Sequence, residues 1–264
     1  MPSKEKSYSA TALLPLWPNT GIDELLDIAS AKYSVGFESV SAGGITLQVL
    51  QVLDMKERLD RAIMENALAD ALNTLPLWAK IWPASIVLGH MLSTLPGKDH
   101  TILEVGAGCG LAGLAAAALG LGKVCISDIN EDALLFARIN VLKNNLQDCA
   151  EVCRVDVTAD SFPGRFSLIV GAEILYLDHL YRPLVKFFKR HLAATTASPE
   201  RGAQVLLASD HRRNSAPFLK KAEKEFTISM KQVGIREKAD GEFQQSGEKH
   251  LIDIIRLTAA DRQQ

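Results

Sequence analysis

Four carboxylates stand at the ends of four short apolar runs in this 264-residue chain. Glu104 closes the run from Thr101 to Val105, Asp128 follows Lys123 to Ser127, Asp156 follows Glu151 to Val155, and Glu173 lies just past Phe166 to Val170. Directly after Glu104-Val105 comes Gly106-Ala-Gly-Cys-Gly110, which runs into an alanine-rich stretch. Glycines at Gly106, Gly108 and Gly110 remove side chains where a backbone must bend and let a ligand come close. The N–H groups that open the next helix can face a carboxylate or phosphate. A strand, a side-chain-free bend and a nearby acid together point to a nucleotide-like ligand that carries a cationic amino group.

The spacing extends that reading. Asp128 follows Gly108 by about twenty residues, the separation at which a carboxylate accepts from both hydroxyls of a ribose. Capping the next helix is the alternative for Asp128, and one residue can do both. Asp156 is placed to accept from an adenine amino group or to serve a turn. Ile129 and Val157, just beyond these acids, are placed to sandwich an adenine ring. Glu104 has a plainer alternative, in which it satisfies nearby backbone or solvent.

The elements that must hold these residues alternate. The strands end at the acids, and helices are expected over Ala84–Leu95, Leu111–Leu119, Asn130–Asn144, Leu180–Leu192 and Ala216–Phe226, with Pro83 well placed at the first turn and Asn130 as a cap. A fifth strand spans Ala203–Ser209, and Thr227–Gly234 with His250–Thr258 forms a final strand pair. Alternation implies a mostly parallel sheet with right-handed crossovers. The final pair breaks it and brings in an antiparallel strand. The fold class is therefore α/β: a Rossmann-like, doubly wound, seven-stranded sheet with an antiparallel C-terminal strand. Ahead of it, residues 1–74 read as an accessory unit: a helix over Ile22–Ile28, a hairpin over Ser34–Leu53 turning at Gly43-Gly44, and a helix from Asp54 through Asn73. Residues 75–264 form the ligand-binding domain.

Composition bounds the function classes. Hydrophobic residues are 47%, charged residues 23% and the formal charge is −2, which fits a soluble globular protein and excludes a strongly basic nucleic-acid binder. The basic clusters Lys186 to Arg190 and Arg212-Arg213 read as solvated surface, and Asp210-His211 as a surface loop, with lining of the site as the alternative. Cys109, Cys125, Cys149 and Cys153 contain no Cys-x-x-Cys pair and no nearby histidine pair, so no metal is expected. They read as reduced thiols of a cytoplasmic protein, with Cys109 filling space. No signal peptide is evident, and no apolar run is long enough to span a bilayer.

Glu104-Val-Gly-Ala-Gly-Cys-Gly110 resembles the first motif of the class I S-adenosylmethionine-dependent methyltransferases, and Asp128 resembles their ribose acid. Trp82-Pro-Ala-Ser-Ile-Val-Leu88 is similar to the tryptophan-led helix of the seven-β-strand protein lysine methyltransferases. That group includes enzymes acting on chaperones, elongation factors and the electron-transfer flavoprotein β subunit. Gly171-Ala-Glu-Ile-Leu-Tyr-Leu177 resembles the group's Asp-x-x-Tyr motif, with Glu173 in place of the usual aspartate. The resemblance covers about Leu75 to Thr258.

It implies S-adenosyl-L-methionine as cofactor, held by Trp82, Glu104, Gly106, Gly108, Gly110, Asp128, Ile129, Asp156, Val157 and Ala172. It implies Glu173 and Tyr176 as the catalytic pair, Trp78 at the border of the acceptor channel, and a protein lysine as acceptor, with no nucleic acid or membrane partner. A small-molecule methyltransferase and a non-catalytic S-adenosylmethionine-binding module are the alternatives. Gly108, Gly110 and Gly113 also fit the G-x-G-x-x-G pattern of dinucleotide enzymes. Glu104 would place negative charge near a pyrophosphate, however, and no second mononucleotide half follows the third strand.

Overall fold

The seven strands expected from the apolar runs pair into one sheet whose spatial order departs from chain order. The computed structural model describes residues 16–65, 75–194, 202–236 and 249–260. The strands of the sheet are β3 (His100–Val105), β4 (Gly122–Asp128), β5 (Ala150–Arg154), β6 (Leu168–Ala172), β7 (Gln204–Asp210), β8 (Phe226–Arg236) and β9 (Lys249–Ala259). β3, β4, β5, β6 and β7 are parallel, and β9 inserts antiparallel between β7 and β8. The antiparallel strand expected at one edge is thus the second-last position, with β8 outermost. The chain builds outward from β3 to β5, then returns to the other side of β3 with β6. That reversal opens a crevice beyond the carboxyl ends of β3 and β6, where open sheets of this kind bind ligands.

Helices cover both faces. Pro83 opens α3 (Pro83–Ser93), where its missing N–H costs nothing. Next come α4 (Leu111–Ala118), α5 (Glu131–Lys143), α6 (Tyr181–His191) and α7 (Ala216–Ala222). Asn130 caps α5 as expected, its side chain accepting from the Asp132 and Ala133 N–H groups. One face of the sheet packs Ile102, Ile126 and Val170 against Leu88, Leu114 and Leu134. The other packs Leu103, Ile169 and Leu207 against Phe187, Phe188 and Phe218. α6 alternates buried Phe187 and Phe188 with exposed Lys186, Lys189 and Arg190, so this basic cluster is a solvated helix face.

The front of the chain forms α1 (Ile22–Ser30), the hairpin β1 (Val35–Ala42) and β2 (Ile45–Val52), and α2 (Met55–Met64). The hairpin docks through β2 onto α5. Asn140 Oδ1 accepts from the Leu50 N–H at 2.7 Å, and one turn on Asn144 Oδ1 accepts from the Gln48 N–H at 2.9 Å. Val40, Ala42, Leu47 and Val49 join the same apolar core as α3 and α4. Asp54 precedes α2 but makes no side-chain cap bond; its Oδ2 accepts instead from Arg58 Nε at 2.9 Å. The rest of the helix expected through Asn73, the first residues up to 15 and most of the loop between β8 and β9 lie outside the described residues.

The parallel pairing of β4 and β5 also brings together Cys125, Glu151 and Cys153, whose ligand atoms lie within 4.8 Å of one another. Sequence spacing gives no sign of this cluster. Hydrogen bonding with Cys153 and then burial push the Cys125 thiol well above its ordinary pKa, so it is held as a neutral thiol. All four cysteines are free. Among the described residues, no helix is long and apolar enough to cross a membrane.

Candidate active site

A cavity of about 480 Å³ opens at the carboxyl ends of β3, β4, β5 and β6. Its size is that of a small-ligand site. Glu104, Gly106, Gly108, Asp128, Ile129, Asp156, Val157, Ala172, Glu173, Tyr176, Trp78 and Trp82 all line it. Gly110, the remaining candidate, stands behind the wall. It is the N-cap of α4 with φ +83, and a Cβ there would press on Ile126 and Ala137. It lets the turn pack on the core and is not among the residues that line the cavity.

The glycine turn is held from both sides. Gly108 has φ +54, and a Cβ would collide with the Trp78 carbonyl oxygen. That same oxygen accepts from the Cys109 N–H at 3.1 Å. Asp128 Oδ2 accepts from the Gly108 N–H and its Oδ1 from the Asn130 N–H, both at 2.9 Å. Asp128 therefore braces the turn and the start of α5, and its pKa is raised because burial outweighs these bonds. Buried Glu104 places Oε2 against the Gly113 N–H at 2.8 Å. Desolvation pushes its carboxyl up to about 8, against the pull of that bond. Burial thus favours the neutral form of Glu104. Cys109, with its thiol raised to about 12 by burial, is inert filling.

The remaining candidates divide between wall and mouth. Asp156 Oδ1 accepts from the Thr158 N–H and hydroxyl at 2.8 and 2.6 Å, which is turn chemistry performed at the cavity wall. Ile129 is 52% exposed and, like Val157, lines the cavity. Trp82 donates its indole N–H to the Leu77 carbonyl at 3.2 Å, and Lys80 Nζ lies 4.7 Å from its ring centre. Trp78 packs edge-on against Phe136 with ring centres 4.9 Å apart, so it is a core residue that shows one side to the cavity. Tyr176 is 59% exposed, at the mouth.

Glu173 stands apart from the other acids. Its backbone is left-handed, φ +56, a region that non-glycine residues seldom adopt. This turns its carboxylate toward the end of β7. There Oε1 accepts from the Asp210 N–H and Oε2 from Arg213 Nε, each at 2.7 Å. A second cavity of about 330 Å³ adjoins the first along Lys80, Trp82, Glu173 and Arg213, and extends to Asp210, Arg212 and His250.

A model of the lysine methyltransferase family matches residues 70–233. The chain belongs to that family. Protein N-lysine methyltransferase METTL21A of Mus musculus is 33% identical over 160 residues, which are 57% of this chain and 69% of that protein. EEF1A lysine methyltransferase 3 of Mus musculus is 34% identical over 119 residues, 43% of this chain and 50% of that protein. The crystal structure of TrmN from Thermus thermophilus superposes with a TM-score of 0.50 at 18% identity, covering 67% of this chain and 48% of that one, which speaks for the fold.

The methyltransferase therefore uses S-adenosyl-L-methionine, and the residues fit that group. Acids lie along one wall, a side-chain-free turn lies beneath them, and apolar Ile129 and Val157 frame the rim. Membership also sets aside the dinucleotide reading of Gly108, Gly110 and Gly113. Several residues that line the site are absent from the sequence-derived set, and among them Arg213 carries a charge into it. Arg213, read as solvated surface, instead pairs with Glu173 inside the methyltransferase's cavity and is only 38% exposed. Its neighbour Arg212 binds Asp210 through two contacts at 3.0 and 2.8 Å. No local pattern marks an ion pair between residues forty positions apart; the one available signal is that Arg213 follows the carboxyl end of a parallel strand.

Proposed function

We propose that this chain transfers a methyl group from S-adenosylmethionine to a lysine side chain of a protein substrate. The observation that carries the reading is one continuous cavity. Buried Glu104 and half-buried Asp128 line its wall at the ends of β3 and β4, and Glu173 and Tyr176 lie past the end of β6. The relatives named as protein N-lysine and EEF1A lysine methyltransferases support a protein acceptor. When bound, S-adenosylmethionine supplies a methyl on a positively charged sulfur, and the nitrogen–carbon bond forms as the carbon–sulfur pair leaves with sulfur. The chain's own residues align and shield. Glu104 receives the donor's ammonium, Asp128 accepts from its ribose hydroxyls, and Ile129 and Val157 enclose its adenine. Glu173 receives the acceptor nitrogen, and Tyr176 forms one side of the slot. Holding reactants in register accounts for most of what such a site must do.

A cytoplasmic setting is part of the same reading. Four free thiols with no disulfide among them suit a reducing compartment.

The test supplies radiolabelled donor and the purified protein to an extract of cells lacking it, then locates the label by mass spectrometry. Label on a lysine nitrogen of a protein band is expected. Binding of S-adenosylhomocysteine without any protein labelling would overturn the reading.

A further inference from the structure

A lysine side chain reaches the site as an ammonium, with an ordinary pKa of about 10.4, and must lose a proton before its nitrogen can attack. A lone carboxylate in the slot would work against this, because it favours the charged form. The structure removes that difficulty through Arg213. Its guanidinium spans the acceptor end of the cavity and bonds one oxygen of Glu173, while the Asp210 N–H holds the other. The side chain of Glu173 is 9% exposed and that of Arg213 38%, so the carboxylate is shielded and water reaches the pair from the arginine side.

We infer that Arg213 is a positioning residue: by fixing and neutralising the Glu173 carboxylate it makes the slot prefer the free amine over the ammonium. The inference rests on the lysine-methylation reading. The proton goes to water at the mouth beside exposed Tyr176, and the freed lone pair forms the bond to the methyl carbon as the pair of the carbon–sulfur bond departs with sulfur. No other reactant is required.

The charges around Arg213 agree. The β6–α6 loop presents Glu173, Tyr176 and Asp178; the end of β4 presents Asp128; the end of β7 presents Asp210 and Arg212; the segment before α3 presents Lys80; and β9 presents His250. Asp210 is bound by Arg212, and its carboxyl is held down to about 2 by that contact, so it stays charged and does not compete for Arg213. The Tyr176 phenol, raised mainly by burial and also by Asp128, feels an opposing pull from Arg213. The cation's field therefore reaches the slot.

The test compares wild type with Arg213→Gln, Arg213→Met and Arg213→Lys. Methylation of the labelled extract band is followed from pH 6.5 to 9.5 at serial dilutions of extract. Separately, n-butylammonium chloride serves as a probe of the slot by ligand-observed NMR, with no donor present. Charge removal is expected to move the rising limb of the rate profile up by about one pH unit, so that kcat at neutral pH falls roughly tenfold. At the same time the apparent KM drops and n-butylammonium binds more tightly, while Arg213→Lys stays near wild type. Arg213→Met keeps the apolar stem, so either neutral variant suffices if the other folds poorly. A profile that superimposes on wild type, or KM and kcat worsening together with no pH shift, overturns the role of Arg213 alone. If wild type labels no lysine at all, the parent reading falls and takes this inference with it. Affinity for S-adenosylhomocysteine should stay unchanged in every variant.

Discussion

The two ends of the cavity hold their acids by opposite means. At the cofactor end, Glu104 and Asp128 are fixed by backbone N–H groups of the glycine turn and of the helix starts beside it. At the acceptor end, Glu173 is fixed largely by a side-chain ion pair reaching across from another loop. Burial makes the first set costly to ionise, although its rigid backbone donors favour the charged form. A guanidinium can shift and brings its own charge, so the second is already neutralised. In the proposed reaction, one end gains charge on binding and the other stays neutralised.

The contrast can be broken most sharply at Glu173. Glu173→Ala should lower kcat on the order of 100-fold or more, since the amine loses its anchor and Arg213 is left unpaired. Calorimetric affinity for S-adenosylhomocysteine should barely move; a parallel collapse of that affinity would show that the two ends are not separable.

Asp128→Ala should do the reverse. Loss of two charge-assisted bonds, each about 1.5–3 kcal/mol, frees the turn and should weaken cofactor binding by roughly 10–100-fold. Unchanged binding in the same titration would mean that Asp128 only shapes the chain.

Glu104 sharpens the comparison through pH. The folded protein keeps a proton on this group up to about pH 8, whereas its ordinary value is 4.5. The folded state thus binds more protons than the unfolded one between those values, so this contribution to stability is full below 4.5, declines as pH rises and is gone above about 8. A cofactor ammonium needs the ionised form, so S-adenosylhomocysteine affinity should climb about tenfold from pH 6.5 to 7.5 and level off past 8. Glu104→Gln should flatten both profiles, read by thermal melts and calorimetry. A wild-type affinity independent of pH would remove Glu104 from ammonium recognition.

The smallest effect is expected far from either end. Asn144→Ala removes the paired bonds to Gln48 at 2.9 and 2.8 Å and should cost about 1 kcal/mol in a urea melt, with both affinities intact.

This difference also explains what the sequence could disclose. The glycine turn, the acids at strand ends and the Asn130 cap are local: each is a residue type at a fixed offset from an apolar run, and each lies at its expected place in the fold. Arg213 is not local. Its partner is forty residues away, and its immediate neighbours look like any exposed basic loop. Trp78 is ambiguous for a related reason, because the aromatic cluster that claims it includes Tyr33 from the front of the chain. Gly110 shows the limit of a motif: the spacing is right, but its φ and its neighbours Ile126 and Ala137 make it a packing residue. The insertion of β9 between β7 and β8 is likewise invisible locally, since both orders satisfy the same alternation.

Asn140 gives the hairpin a reach beyond its own strands. It is fully buried, and while one end of its amide holds Leu50, the other donates to the Cys109 carbonyl at 2.9 Å, inside the glycine turn. A shortened version starting near Leu75 would strip one partner from a dry amide and uncover the part of the core that Val49 and its neighbours cover. Such trimming would be felt first as a slack donor loop, long before the sheet itself came apart.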